Sequence, residues 1–126
     1  MSERTPIRAQ DAPPPGGPYS QAIRSGGFLF LAGQGPFRSD GTKVDSSFED
    51  QARQTFRNLA AVAAAAGASL ADAVKVGVYL RDMTNFAAMN KVYVEFMREP
   101  MPARTTVQSD LPGFEIEVDA VIAVGD

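Results

Sequence analysis

Residues 102–124 read PARTTVQSDLPGFEIEVDAVIAV, and the fold turns on how this stretch is read. From Phe114 onward apolar and acidic residues alternate: Phe114, Ile116, Val118 and Ala120 against Glu115, Glu117 and Asp119. A period of two belongs to a β-strand, so the first set faces a core and the second faces away from it. Leu111-Pro112-Gly113 supplies a turn just before that strand. Read as a strand, the segment around Arg104 pairs with it as a hairpin, which puts Arg104 within reach of the acidic row. An arginine and a carboxylate on one exposed face form either a plain cross-strand pair or a small site. In a site, the guanidinium fork holds an anion and the carboxylate moves a proton. The residue types alone leave both readings open.

Working back toward the N-terminus, Phe86, Met89, Val92, Tyr93, Phe96 and Met97 recur at helical spacing. They predict a helix from about Phe86 to Arg98, with its Met and aromatic stripe in the core and Asn90 on the stripe's edge. Glu99-Pro100-Met101-Pro102 ends it. Val74, Val76, Val78 and Leu80 alternate with Lys75, Gly77 and Tyr79 and predict a strand. Ser46-x-x-Glu49 reads as a capping box for a longer helix carrying Phe48, Ala52, Phe56, Leu59, Val62, Ala63 and Ala66 on one face, with Gly67 as its stop.

Ala22-Ile23-Arg24 and Phe28-Leu29-Phe30-Leu31-Ala32 flank Ser25-Gly26-Gly27 as a β-hairpin, and the second run, apolar on both faces, is a central strand. Gly33 follows it, as a bulge or as a place where a ligand approaches the backbone. Tyr19, after Gly17-Pro18, is either a packed aromatic with a wet hydroxyl or a site residue. Residues 1–16 are a Pro-rich lead extended over the surface, and residues 17–126 form one domain. The order β-β-α-β-α-β-β gives an α+β layered domain with two helices on one face of a sheet. The other face carries too much apolar surface to stay wet, so other copies of the chain are expected to cover it.

Composition narrows the chemistry. The 126 residues suffice for one domain, with 44% hydrophobic and 21% charged residues and a net charge of −3. The basic footprint of a nucleic-acid binder and the polybasic anchor of a membrane binder are both missing. With no cysteine and no histidine, thiolate catalysis, Ser-His-Asp arrangements and the usual metal ligands are excluded. Acid–base work falls to Asp, Glu, Lys, Tyr, water or backbone. No secretory h-region opens the sequence, so a cytoplasmic location is the expectation.

The ordered set of local motifs resembles the RidA/YjgF family of reactive-intermediate deaminases over Gly17 to Val124. The set comprises Gly17-Pro18-Tyr19-Ser20-Gln21-Ala22, Gly33-Gln34, Gln51-Ala52-Arg53-Gln54, and Gly67-Ala68-Ser69-Leu70 with Val74-Lys75. It continues through Phe86-Ala87-Ala88-Met89-Asn90 with Val92-Tyr93 and Pro102-Ala103-Arg104 to Ile116-Glu117-Val118-Asp119-Ala120. The resemblance implies a chorismate-mutase-like fold and a homotrimer with sites in clefts between subunits. The implied activity is hydrolysis of enamines and imines to 2-oxo acids and ammonia, with no metal and no cofactor.

Carried over by position, Arg104 is implied to grip the substrate carboxylate and Glu117 to orient or activate the attacking water. Tyr19 and Asn90 are implied to line the cleft, Gly33 to offer a backbone contact, and Thr106 to touch substrate. Three departures from the family pattern stand out. Ala32 sits where serine is common, Thr106 where some members have cysteine, and the Leu111-Pro112-Gly113 turn is short. The alternatives are a non-catalytic trimer that binds small carboxylates such as 2-oxo acids, and a divergent hydrolase of a related C–N bond. A ribonuclease role suits an acidic chain without histidine poorly.

Overall fold

The computed structural model describes residues 3–125. In chain order the elements are β1 (Thr5–Ile7), β2 (Ala22–Ser25), β3 (Phe28–Gln34), α1 (Phe48–Ala65), β4 (Ala73–Leu80), α2 (Phe86–Phe96), β5 (Ala103–Gln108) and β6 (Ile116–Ala123). Short 3-10 turns at Leu70–Asp72 and Met83–Asn85 lead into β4 and α2. The six strands form one sheet in the order β1-β2-β3-β6-β4-β5.

The hairpin expected between the Arg104 segment and the acidic strand does not form. β5 pairs parallel with β4, and β6 lies antiparallel between β3 and β4. The intervening loop crosses the end of β4, where the Ser109 N–H donates to the Leu80 carbonyl at 2.8 Å and the Arg81 N–H to the Glu115 carbonyl at 3.1 Å. Side-chain chemistry explains the choice. Ile116, Val118, Ala120 and Ile122 are buried and need neighbours on both sides, whereas the Arg-Thr-Thr sequence of β5 tolerates an edge. Phe114 also departs from expectation. It precedes the strand, stays outside the core, and packs edge-on against Phe37 with ring centroids 5.3 Å apart.

One face of the sheet meets α1 and α2. Leu29, Leu31, Val76, Val78, Leu80, Val118 and Ile122 project into a layer with Phe56, Leu59, Val62, Met89 and Val92, all buried. Each such side chain contributes roughly 1.5–3 kcal/mol on burial. α1 starts one residue later than the Ser46 capping box predicts. Ser47 is the N-cap and accepts from the Asp50 N–H, while Ser46 donates to the Asp50 carboxylate. It stops at Gly67, whose φ of +72° suits a residue without a side chain. α2 ends at Phe96, two residues short of the expected Arg98.

The Pro-rich lead is built into the sheet. Thr5–Ile7 pairs with β2, and the buried Gln21 side chain accepts from the Ala9 N–H and donates to the Ala9 and Pro13 carbonyls. The opposite sheet face carries Phe28, Phe30 and Val107, each more than 40% exposed, together with Tyr79, Glu117 and Asp119. Among the described residues no helix is long and apolar enough to cross a membrane.

Candidate functional site

Glu117 lies on the open face of β6, opposite Tyr79 of β4. Beside it β3 slips register between Leu31 and Gln34, which turns Gly33 toward the carboxylate. A Cβ on Gly33 would collide with Glu117 Oε2. Gly33 is therefore both a bulge residue and a gap that admits a side chain. Glu117, Gly33 and Tyr19 line one cavity of about 330 Å³, walled by Pro13, Pro14, Pro15, Gly16, Phe37 and Phe114. The Tyr19 hydroxyl accepts from the Gly16 N–H at 3.0 Å, which fastens the proline wall to the turn.

This apolar lining costs the Glu117 carboxylate part of its hydration and raises its pKa above the usual carboxylate range. The Asp119 charge adds to the effect. A carboxylate so placed is a stronger base than a free one and suits the removal of a proton from water. Asp119 is occupied differently, accepting from the Tyr79 hydroxyl at 3.0 Å, and that bond is the main cause of a raised Tyr79 pKa. An adjoining hollow among Arg8, Gln10, Ala12 and Ser39 has comparable volume but carries no carboxylate, so Glu117 marks the more reactive of the two.

Arg104 is on the other face. It pairs in register with Val76, which pairs with Ala120, and directly opposed residues share a face. Arg104 therefore projects toward α2. Its guanidinium carbon stands 4.7 Å from the Tyr93 ring centroid and 5.5 Å from that of Phe86. Nη1 lies 4.0 Å from the Met89 sulfur. Among the described residues Arg104 makes no ion pair. A second cavity, of about 380 Å³, opens there between Asn90, Tyr93, Val94, Met101, Pro102 and Arg104. Thr106 is two residues along β5 on the same face. Its Oγ1 is buried and, among the described residues, has no hydrogen-bond partner, and the same holds for the Tyr93 hydroxyl.

The expected site residues thus fall into two groups. Tyr19, Gly33 and Glu117 meet at one cavity, and Asn90 and Arg104 meet at the other. Thr106 neighbours the second group without lining its cavity. Sequence reading missed the proline and phenylalanine walls around Glu117 and the aromatic pair around Arg104. The seven-residue spacing of Phe86 and Tyr93, two helical turns, was the available signal for the second. Three buried carboxamides also went unread. Gln21 fixes the lead, Gln51 bonds to the Val44 carbonyl and the Glu115 N–H, and Asn58 donates to the Gly35 and Phe37 carbonyls. Among the described residues no group of three His, Cys, Asp or Glu side chains is placed to hold a metal ion.

A six-stranded sheet roofed by two helices, with an acidic cavity on one side and a cationic one on the other, defines a small layered α+β protein. Residues 9–124 match the family described as Endoribonuclease L-PSP, and the chain belongs to this RidA/YjgF family. A RutC family protein of Pyrococcus horikoshii is 49% identical over 118 residues, 91% of this chain and 94% of that one. A protein of Dermatophagoides farinae named 2-iminobutanoate/2-iminopropanoate deaminase is 38% identical over 127 residues, 98% of this chain and 99% of that one. RidA from an Antarctic Psychrobacter superposes with a TM-score of 0.89 at 37% identity, covering 96% of this chain and 100% of that one.

Proposed function

We propose that the protein hydrolyses reactive 2-imino acids, of the 2-aminoacrylate/2-iminopropanoate and 2-iminobutanoate type, to 2-oxo acids and ammonia. The reaction takes place in clefts between the copies of a homotrimer. The observation that carries this reading is the separation of the two groups: Glu117 and Arg104 lie on opposite faces of one sheet. One copy cannot present both to one small substrate. A neighbouring copy that seats its Arg104 cavity against the open face supplies the missing cation and covers Phe28 and Phe30 at the same time.

In the composite cleft the substrate carboxylate takes the free fork of Arg104, a planar match that an ammonium group would not reproduce. An enamine substrate first tautomerises to the imine. A water held by Glu117 then adds to the imine carbon as Glu117 takes one of its protons. Glu117 passes that proton to the imine nitrogen to give the carbinolamine, whose hydroxyl proton then moves through Glu117 to the same nitrogen as the C–N bond breaks, releasing ammonia and the 2-oxo acid. No electrons change hands, and the scheme needs no metal or cofactor. Imines hydrolyse unaided, so holding water and substrate in one geometry supplies much of the acceleration.

The test uses imino acid generated in situ by an amino-acid oxidase, with semicarbazide as a competing trap. Wild type diverts flux from the trap, whereas Arg104→Ala and Glu117→Gln do not. When the two variants are co-expressed, random assembly pairs an intact Arg104 with an intact Glu117 at about one cleft in four, and activity returns to about that fraction. A wild type that leaves the trap unaffected across small and bulky imino acids overturns the deaminase reading. Absence of recovery in the mixture overturns the shared cleft.

A further inference from the structure

Arg104 is half-buried, yet among the described residues it has no carboxylate partner. A buried guanidinium is ordinarily held by acids or carbonyls. Here its contacts are Phe86, Met89 and Tyr93, which recur at i, i+3 and i+7 along α2 and so share one helix face. The Tyr93 ring is itself fixed. It is 95% buried, and Phe56 packs edge-on against it with centroids 5.9 Å apart. Phe56 in turn stacks on Phe96 at 5.4 Å.

We propose that Phe86 and Tyr93 are positioning residues for Arg104. Their rings hold the face of its guanidinium so that the N–H edge points into the Asn90, Met101 and Pro102 cavity, preset for a planar carboxylate. The chemistry supports rings over acids for this task. A neighbouring carboxylate would hold the guanidinium equally well but would occupy the fork that the ligand needs. An aromatic face attracts the cation without occupying its fork as a carboxylate would, and the Met89 sulfur that Nη1 meets at 4.0 Å is a weak acceptor. Guanidinium stacks on rings in this way, and an ammonium does not. Burial raises the Tyr93 pKa, with Arg104 offsetting part of the rise, so the phenol stays neutral and acts through its ring.

The proposal rests on Arg104 being the carboxylate anchor, and the experiment separates the two ideas. Wild type and variants are titrated with pyruvate and 2-oxobutanoate, which bind without turnover, and each variant's melting temperature is recorded. Arg104→Ala should abolish binding. Phe86, 41% exposed, can be changed with little risk to the fold. Phe86→Leu should weaken binding roughly 2- to 5-fold and raise KM while sparing kcat. Phe86→Tyr, which keeps a ring, should bind as wild type. Tyr93→Phe should also bind as wild type, and Tyr93→Leu should bind more weakly. If Arg104→Ala binds normally, the anchor reading fails. If Arg104→Ala loses binding while Phe86→Leu keeps it, or if Phe86→Tyr loses as much as Phe86→Leu, the bracket is overturned and the anchor stands.

Discussion

Gly33 and Glu117 share one notch: a Cβ on Gly33 would stand 2.5 Å from Glu117 Oε2 and 3.0 Å from its Cδ. Gly33→Ala therefore displaces the carboxylate while leaving the backbone at ease, because Gly33 is not among the positive-φ glycines. The obstructed group is the end of a flexible chain, so the melting temperature should hardly move. The rate should fall by roughly 10- to 100-fold, the scale expected for misplacing a reacting group by about 1 Å. Steady-state kinetics alongside a thermal melt check both halves.

Glu117 also ties stability to pH. Its folded-state pKa is raised, so the folded chain keeps a proton that the unfolded chain releases. The group favours folding below the ordinary glutamate range, and that contribution is lost as pH rises through the raised value. Glu117→Gln removes the penalty of a buried charge. The variant should be more stable than wild type at about pH 8, with the advantage vanishing toward about pH 4. Urea titrations across that interval measure it. Wild-type activity should fall on acidification around the same raised value, because the base must be ionised.

Asn58 is 1% exposed, and its amide reaches the Gly35 carbonyl at 3.0 Å and the Phe37 carbonyl at 2.7 Å. Asn58→Ala removes this donor from the Phe37 carbonyl and leaves the Gly35 carbonyl with the Phe37 N–H alone, at a cost of about 1–3 kcal/mol in unfolding free energy. The wall that holds Phe37 beside the cavity loosens with it. Denaturant unfolding should show the loss of stability, and kcat should fall although Asn58 touches no substrate.

The open sheet face offers a direct test of assembly. Phe28 and Phe30 lie with ring centroids 6.4 Å apart and are 43% and 45% exposed. Phe30→Asp places a charge where a copy of the chain is proposed to sit. Sedimentation should show a smaller species with the circular dichroism of a folded chain, and imine hydrolysis should disappear with the larger one. An unchanged sedimentation coefficient would remove this face from the interface.

Local pattern carried much of the fold. The alternation in β6 and the Gly26-Gly27 hairpin gave strands their faces, and the Phe56 to Ala63 stripe did the same for α1, because each signal is confined to neighbouring residues. Pairing was not legible in the same way. Nothing local in ARTTVQ distinguishes a hairpin partner from a parallel edge strand, and the decision lies in the burial that Ile116, Val118 and Ile122 demand from both sides. Glu117 and Arg104 stood out by type and by resemblance, but their placement on opposite faces follows from that same pairing. Phe86 and Tyr93 were read as core because helical spacing reports a shared face and not what the face touches. The prolines of residues 13–15 predicted a lead extended over the surface, and nothing local announced that Thr5–Ile7 would pair with β2 or that the Gln21 side chain would hold Ala9 and Pro13.

The central place of β6 has a consequence for synthesis. β3 and β4 do not bond to each other, and both depend on Ile116–Ala123 as the strand between them. On a ribosome, where the chain emerges N-terminus first, the hairpin and both helices appear while the gap in the sheet is still open. The nascent chain therefore carries two unsatisfied strand edges and an uncovered apolar layer until Ile116–Ala123 emerges. Such contacts, distant in sequence, close late and slowly. A stalled or prematurely terminated product would be a candidate for aggregation or chaperone capture, because it lacks the strand that joins its two halves.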